Sequence, residues 1–280
     1  MILASAARAA LVAALPALTF GPAATALELI LPVDCVPGDT CYIQSLVDRD
    51  PGAGAADFTC GSLSYDGHKG VDIRTATLAA MRAGVDVLAA APGVVKGVRV
   101  NEPDTGLAGM RAGRDCGNGV VIAHGDGWET QYCHLARGSV SVAKGARVAA
   151  GARLGRMGLS GATEFPHLHL SVRKDGTPID PFDARPSAAN CALSDEESLW
   201  SPAARAALAY KPGGVVDMGF AAGAVDLNDV RAGLITPPLD SQAEALVFWA
   251  RAYGLRTGDL MRIELPGPDG AIVFQVHSLG

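Results

Sequence analysis

The sequence predicts an all-β fold: an antiparallel β sandwich or partly open barrel with a groove, joined to a smaller C-terminal β domain. Three observations predict it. Short β-type runs separated by glycine turns follow one another from residue 85, and helical periodicity is nearly absent across them. The 34 glycines and 17 prolines are spread along the 280 residues instead of gathered in one tract, as a folded, turn-rich chain requires.

The runs are 85–89, 93–100, 120–124, 130–134 and 167–173, each of strand length and bounded by turn residues. Many short strands of this kind favour antiparallel pairing over an alternating strand-helix pattern. Residues 101–114, with Pro103, three glycines and mixed charge, are too long for a tight hairpin and are expected to form a surface loop. Beyond Cys191 an acidic stretch, Asp195-Glu196-Glu197, leads to an alanine-rich segment at 202–210. Strand-like runs follow at 215–220, 245–253 and 260–265, then Gly267-Pro268-Asp269-Gly270 as a hairpin turn before 271–276.

The N-terminus reads as an export signal. Arg8 precedes an apolar stretch, 9–20, and Ala24-Thr25-Ala26 offers a small-x-small cleavage site, so the mature chain is expected to begin near Leu27. An apolar run this short, interrupted by Pro16, spans a bilayer poorly, and stable membrane insertion of the mature chain is not expected. Six cysteines, Cys35, Cys41, Cys60, Cys116, Cys133 and Cys191, follow the signal. In an exported chain without a CxxC pair they imply up to three disulfides. Cys116 and Cys133 flank an expected hairpin, Cys35 and Cys41 are near neighbours, and Cys60 with Cys191 is left by elimination. The net charge of −6 becomes −7 without Arg8, the one charged side chain of 1–26, which argues against nucleic acid as a partner.

Five of the six histidines lie between positions 68 and 169. His167-Leu168-His169 places two imidazoles on one face of a strand, because side chains at i and i+2 project together in extended backbone. His68 and Asp72, in His68-Lys69-Gly70-Val71-Asp72, also share a face. Two histidines and a carboxylate make a three-ligand set with a fourth position left for water, the layout of a catalytic zinc site with one zinc per chain. Asn118 is either a donor to a substrate carbonyl or a turn residue. His124, in His124-Gly125-Asp126-Gly127, is read as a turn residue and His277 as unrelated to the site.

Over roughly 61–182 the chain resembles the lysostaphin-type (LytM-like) zinc endopeptidases of the duplicated hybrid motif fold. The matching segments are Gly67-His68-Lys69-Gly70-Val71-Asp72-Ile73, Val87-Leu88-Ala89-Ala90-Ala91-Pro92-Gly93, Gly117-Asn118-Gly119-Val120-Val121-Ile122-Ala123-His124, Gln131-Tyr132-Cys133-His134-Leu135, Leu154-Gly155-Arg156-Met157-Gly158 and Pro166-His167-Leu168-His169-Leu170, in the family's order. The chain is thus read as a signal peptide at 1–26, a cysteine-containing lead-in at 27–60, a peptidase domain at 61–190 and an accessory β domain at 191–280, and the resemblance extends neither to the lead-in nor to residues after 190. The resemblance implies His68, Asp72 and His169 as zinc ligands, and His134 and His167 as catalytic groups. Zinc-bound water would be the nucleophile, and the two imidazoles would provide acid-base chemistry and oxyanion stabilisation, with the division between them left open. The implied substrate is peptidoglycan, cut in its stem or bridge peptides, and the implied location is the periplasm or the exterior. Two other readings stand beside it: a non-catalytic cell-wall-binding activator of an amidase, and a non-haem iron oxygenase built on the same two-histidine-one-carboxylate set.

Overall fold

The structure, a computed structural model, describes residues 27–186, 197–235, 242–243 and 245–279, and over 272–279 the backbone alone. The expected export signal, Cys191 with its pairing to Cys60, and the start of the acidic stretch lie outside the described residues.

The centre is one antiparallel sheet. Its strands are β1 (Tyr42–Ser45), β2 (Val71–Arg74), β4 (Gly93–Arg99), β5 (Asn118–Gly125), β6 (Trp128–Leu135), β7 (Arg147–Val148), β9 (His167–Lys174) and β10 (Thr177–Ile179). They are ordered β1-β2-β9-β6-β5-β4-β7, with β10 on β9, and the sheet does not close into a barrel. A small second sheet pairs β3 (Asp86–Leu88) with β8 (Arg153–Arg156). Each run expected from residue 85 onward is a strand. The turn between β5 and β6 needs positive φ at Gly125 (92°), Asp126 (46°) and Gly127 (77°), which two glycines and an aspartate tolerate where β-branched residues would not.

Alternation in β2 and β9 decides where the chemistry lies. Val71 and Ile73 of β2, with Leu168, Leu170 and Val172 of β9, point into the core and are at most 1% exposed. Asp72 and Arg74 therefore share the opposite face of β2, and His167, His169 and Ser171 the opposite face of β9. The register sets Asp72 across from His169 and Arg74 across from His167. Slipping the pairing by one residue would bury the charges and expose the aliphatic set, so the same pattern that builds the core fixes the site.

The core also takes Leu29 and Val33 from before the sheet, Leu46 from just after β1, and Trp200, Ala204 and Leu208 from after the sheet. Burial of one such leucine is worth roughly 1.5–3 kcal/mol. The alanine-rich segment forms α2 (Pro202–Ala207), with the Ser201 hydroxyl accepting from the Ala204 amide as its cap. Two more six-residue helices, α1 (Leu78–Ala83) and α3 (Leu227–Ala232), touch each other. They are too short to write a helical stripe into the sequence. Later in the chain, β11 (Gly214–Ala221) pairs with β12 (Val247–Tyr253), and β13 (Leu260–Pro266) with β14 (Ile272–Leu279). Both local disulfides form, Cys35–Cys41 and Cys116–Cys133, with Cα atoms 6.0 and 4.8 Å apart.

Candidate metal centre

The two distant motifs meet. His68, Asp72 and His169 each present one ligand atom, and these atoms lie within 4.8 Å of one another. His169 Nδ1 is 2.8 Å from Asp72 Oδ1, His68 Nε2 is 3.3 Å from the same oxygen, and the two ring nitrogens are 3.1 Å apart. His167 Nε2 approaches that oxygen to 3.4 Å. His134, from β6, stands beside His167 with ring centroids 4.5 Å apart.

The rear nitrogen of each ring has a partner that sets the front one. His68 Nδ1 donates to the Leu46 carbonyl (2.6 Å), His134 Nδ1 to the Ser160 carbonyl (2.8 Å) and His167 Nδ1 to the Phe165 carbonyl (2.9 Å). His169 Nε2 lies 3.0 Å from the Ser171 hydroxyl. A neutral imidazole that donates at the rear carries a bare lone pair at the front. His68 Nε2 and His169 Nδ1 in that form would face a carboxylate oxygen and each other as acceptors at hydrogen-bond distance. That arrangement is repulsive unless protons or a cation lie between them, and the donor set of two imidazoles and one carboxylate suits zinc.

The electrostatics favour an ionised carboxylate at Asp72 and neutral rings at His134 and His169. Burial opposes ionisation of Asp72, but the surrounding imidazoles, His167 foremost, hold its carboxyl well below the usual carboxylate range. Burial, and then the neighbouring His167, lowers His134 to about 3. Burial is also the main cause that lowers His169.

Several functional side chains escaped the sequence reading. Gly70 is one: a Cβ there would sit 2.6 Å from His169 Nε2 and 2.7 Å from the Leu170 carbonyl, so only glycine lets β2 pass beneath that ring. Tyr65 stacks on His68 with centroids 4.3 Å apart, and Thr163 brings its hydroxyl within 3.1 Å of His167 Nδ1. His134 itself has φ 61°, a left-handed conformation that β-strand residues rarely take, which turns its ring toward His167. None of these carries a motif signal except Gly70, which lies inside the His68–Asp72 segment.

Asn118 requires a correction. It is wholly buried, its Nδ2 donates to the Glu102 and Leu135 carbonyls, and its Oδ1 accepts from the Glu102 amide, so it has no donor left for a substrate. Its amide hydrogen goes to the Ser160 hydroxyl, which makes it a brace for the loop that orients His134. His124, read as a turn residue, lies in β5, with its ring between the Pro92 carbonyl and the Thr130 hydroxyl at 2.8 Å each. The side chain of His277 lies outside the described residues. The 101–114 loop braces the same region: Gly106 donates to the Leu159 carbonyl and Leu107 to that of Thr163.

Two cavities flank the centre. One, of about 630 Å³, lies beside His68, with Asp48, Lys69 and Asp180 in its wall. The other, of about 620 Å³, lies beyond Phe165 and Pro166.

Residues 66–181, the segment that contains all five site residues, match the model of peptidase family M23. The peptidoglycan DD-endopeptidase ShyA of Vibrio cholerae is 40% identical over 68 residues, which are 24% of this chain and 15% of that protein. The DD-carboxypeptidase/endopeptidase Mpg of Neisseria meningitidis is 42% identical over 65 residues, 23% of this chain and 14% of its own. The matches thus span about one-seventh of these relatives' length. Among solved structures, a zinc-containing peptidase from Vibrio cholerae aligns at 24% identity and TM-score 0.38, covering 55% of this chain and 39% of that one.

Proposed function

We propose that this chain is an exported, zinc-dependent endopeptidase that hydrolyses peptide cross-links or stem peptides of bacterial peptidoglycan. The observation that carries the reading is the convergence of His68, Asp72 and His169 on one point inside the segment that matches peptidase family M23. His68 and His169 would hold the ion through neutral rings and Asp72 through its carboxylate. When bound, zinc supplies Lewis acidity and makes water a usable nucleophile at neutral pH.

The protein's own groups do the rest. The Leu46 carbonyl and the Ser171 hydroxyl hold the two ligand rings in orientation. His134, kept neutral by burial, is the proton acceptor, and its Nε2 is left for that task because Nδ1 is tied to Ser160. His167, with Nδ1 tied to Phe165 and Nε2 turned toward the centre, would act as the imidazolium, stabilising the developing oxyanion and passing its Nε2 proton to the leaving amine while His134 keeps the proton taken from water. The peptidase domain spans 61–190 in this reading, between the cysteine-containing lead-in and an accessory β region. The two disulfides support an oxidising location such as the periplasm. No described helix is long and apolar enough to cross a membrane.

The test uses the purified full chain and intact peptidoglycan sacculi, with released fragments identified by mass spectrometry. Muropeptides cut at a peptide bond, lost with a chelator and regained with zinc, are expected. Intact sacculi together with stimulation of an amidase would replace this reading with that of a binding module.

A further inference from the structure

Arg74 occupies a position that the metal chemistry does not use. It follows Asp72 on the same face of β2 and stands across from His167, so its side chain rises from the groove floor one row beyond the centre. Its guanidinium lies over the Phe165 ring at 4.3 Å, and that ring in turn lies 4.7 Å from the ring of His167. Nε donates to the Thr75 carbonyl and Nη1 to Gln44 Oε1. Among the described residues Nη2 has no acceptor, and no carboxylate comes within ion-pair distance.

Two further arginines reach the same cavity of about 620 Å³ from the region after the matched domain: Arg231 of α3 and Arg251 of β12. Arg251 is paired with Asp217 and also donates to the Ala76 carbonyl, which ties β12 to the β2 side, while Tyr253 stacks on Tyr42 at 4.8 Å. Arg231 is exposed, with no carboxylate at ion-pair distance among the described residues. Against three guanidiniums the cavity wall has Glu164, and Asp217, which is not in that wall, is already committed to Arg251. One positive charge is left over, in a chain whose net charge is −6. The walls between the charges are apolar, with Leu78, Phe165 and Leu227. A planar guanidinium resting on an aromatic ring offers its outer edge to a carboxylate, and the aliphatic wall accommodates a short side chain.

We infer that Arg74, Arg231 and Arg251 form a subsite for a carboxylate of the substrate peptide, across the Phe165 ring from His167, assembled jointly by the matched domain and the C-terminal region. The inference rests on the endopeptidase reading and adds to it a substrate class: peptides with a free carboxylate close to the bond that is cut. The region after residue 200 thereby acquires a role as a specificity wall.

The experiment titrates the full-length, metal-free protein calorimetrically with acetyl-D-alanyl-D-alanine, as the free acid and as its C-terminal amide. The acid is expected to bind at least about tenfold more tightly than the amide. Arg231→Gln, at an exposed position safe for folding, and Arg74→Gln are each expected to bring the acid toward the affinity of the amide, whereas Arg74→Lys keeps part of the preference. Equal affinity of acid and amide, binding of neither, or an acid preference untouched by both glutamine variants overturns the subsite. Sacculus digestion by the zinc-loaded wild type is read separately: released fragments with no acid preference leave the peptidase reading standing without the subsite. An acid preference that depends on Arg231 but comes without digestion upholds the subsite and removes the peptidase reading.

Discussion

His134 and His167, from the adjacent strands β6 and β9, stand with ring centroids 4.5 Å apart, yet each is anchored by a different carbonyl, Ser160 for one and Phe165 for the other. Both anchors lie in one loop before β9. The loop thus fixes the two rings relative to each other and to Asp72 while leaving both Nε2 atoms unanchored.

This division of labour separates two variants. His169→Ala is expected to lose both bound zinc and cleavage, whereas His134→Ala keeps zinc at about one per chain and loses turnover about a hundredfold or more. Metal analysis alongside a cleavage assay checks this. Equal zinc loss in both proteins would contradict the assignment.

Gly70→Ala should mimic the loss of a ligand without changing one. The added methyl meets His169 Nε2 at 2.6 Å and the Leu170 carbonyl at 2.7 Å, and the backbone carbonyl cannot yield. Zinc affinity is expected to fall by about tenfold or more, as for loss of a group that orients a ligand. Gly97→Ala, where nothing lies within 4 Å of the new methyl, serves as the control and retains full binding.

Asn118→Ala leaves the Glu102 amide and carbonyl without their partner at a site with no solvent access, while the Leu135 carbonyl keeps only the Ser160 hydroxyl. A stability loss of about 3 kcal/mol follows from unpaired buried groups, measurable by urea denaturation. Turnover falls as well if the Ser160 loop loosens, whereas a substrate-contact role would alter KM with stability unchanged.

Asp180 gives a pH-dependent prediction. Burial raises it to about 7, against the weaker pull of Arg49, whose Nη1 is 3.7 Å from Oδ2 but 3.2 Å from Asp183. Oδ2 is buried with no hydrogen-bond partner. The folded pKa lies above the unfolded one, so the folded state binds the proton more tightly, and stability from this group is full below about pH 4 and lost as pH rises through about 7. Asp180→Asn should therefore match the wild type near pH 4 and exceed it by on the order of 2 kcal/mol at pH 8. Urea midpoints at the two pH values decide it. A variant equally or less stable at pH 8 refutes the assignment.

Much of this was legible in the sequence, for definite reasons. The runs of β4, β5, β6 and β9 were readable because each is bounded by turn residues, and His167 and His169 because strand alternation has a period of two. The local disulfides were readable from proximity. The helices α1 and α3 were not, since six residues give less than two turns of pattern. Asn118 stayed open between two roles because an amide that braces a loop and one that contacts a substrate look alike until its partners are known. Leu46, Ser160 and Phe165 act through backbone carbonyls, which any residue type supplies and no motif records.

The carbonyl of Leu46, twenty residues before the matched segment begins, is the atom that sets the proton of His68. A fragment trimmed to 66–181 for transplantation into a chimera would keep every ligand yet deliver His68 with an unset tautomer, above a core stripped of Leu29, Val33 and Trp200. Portability of the active unit consequently ends well outside the edges that family likeness draws.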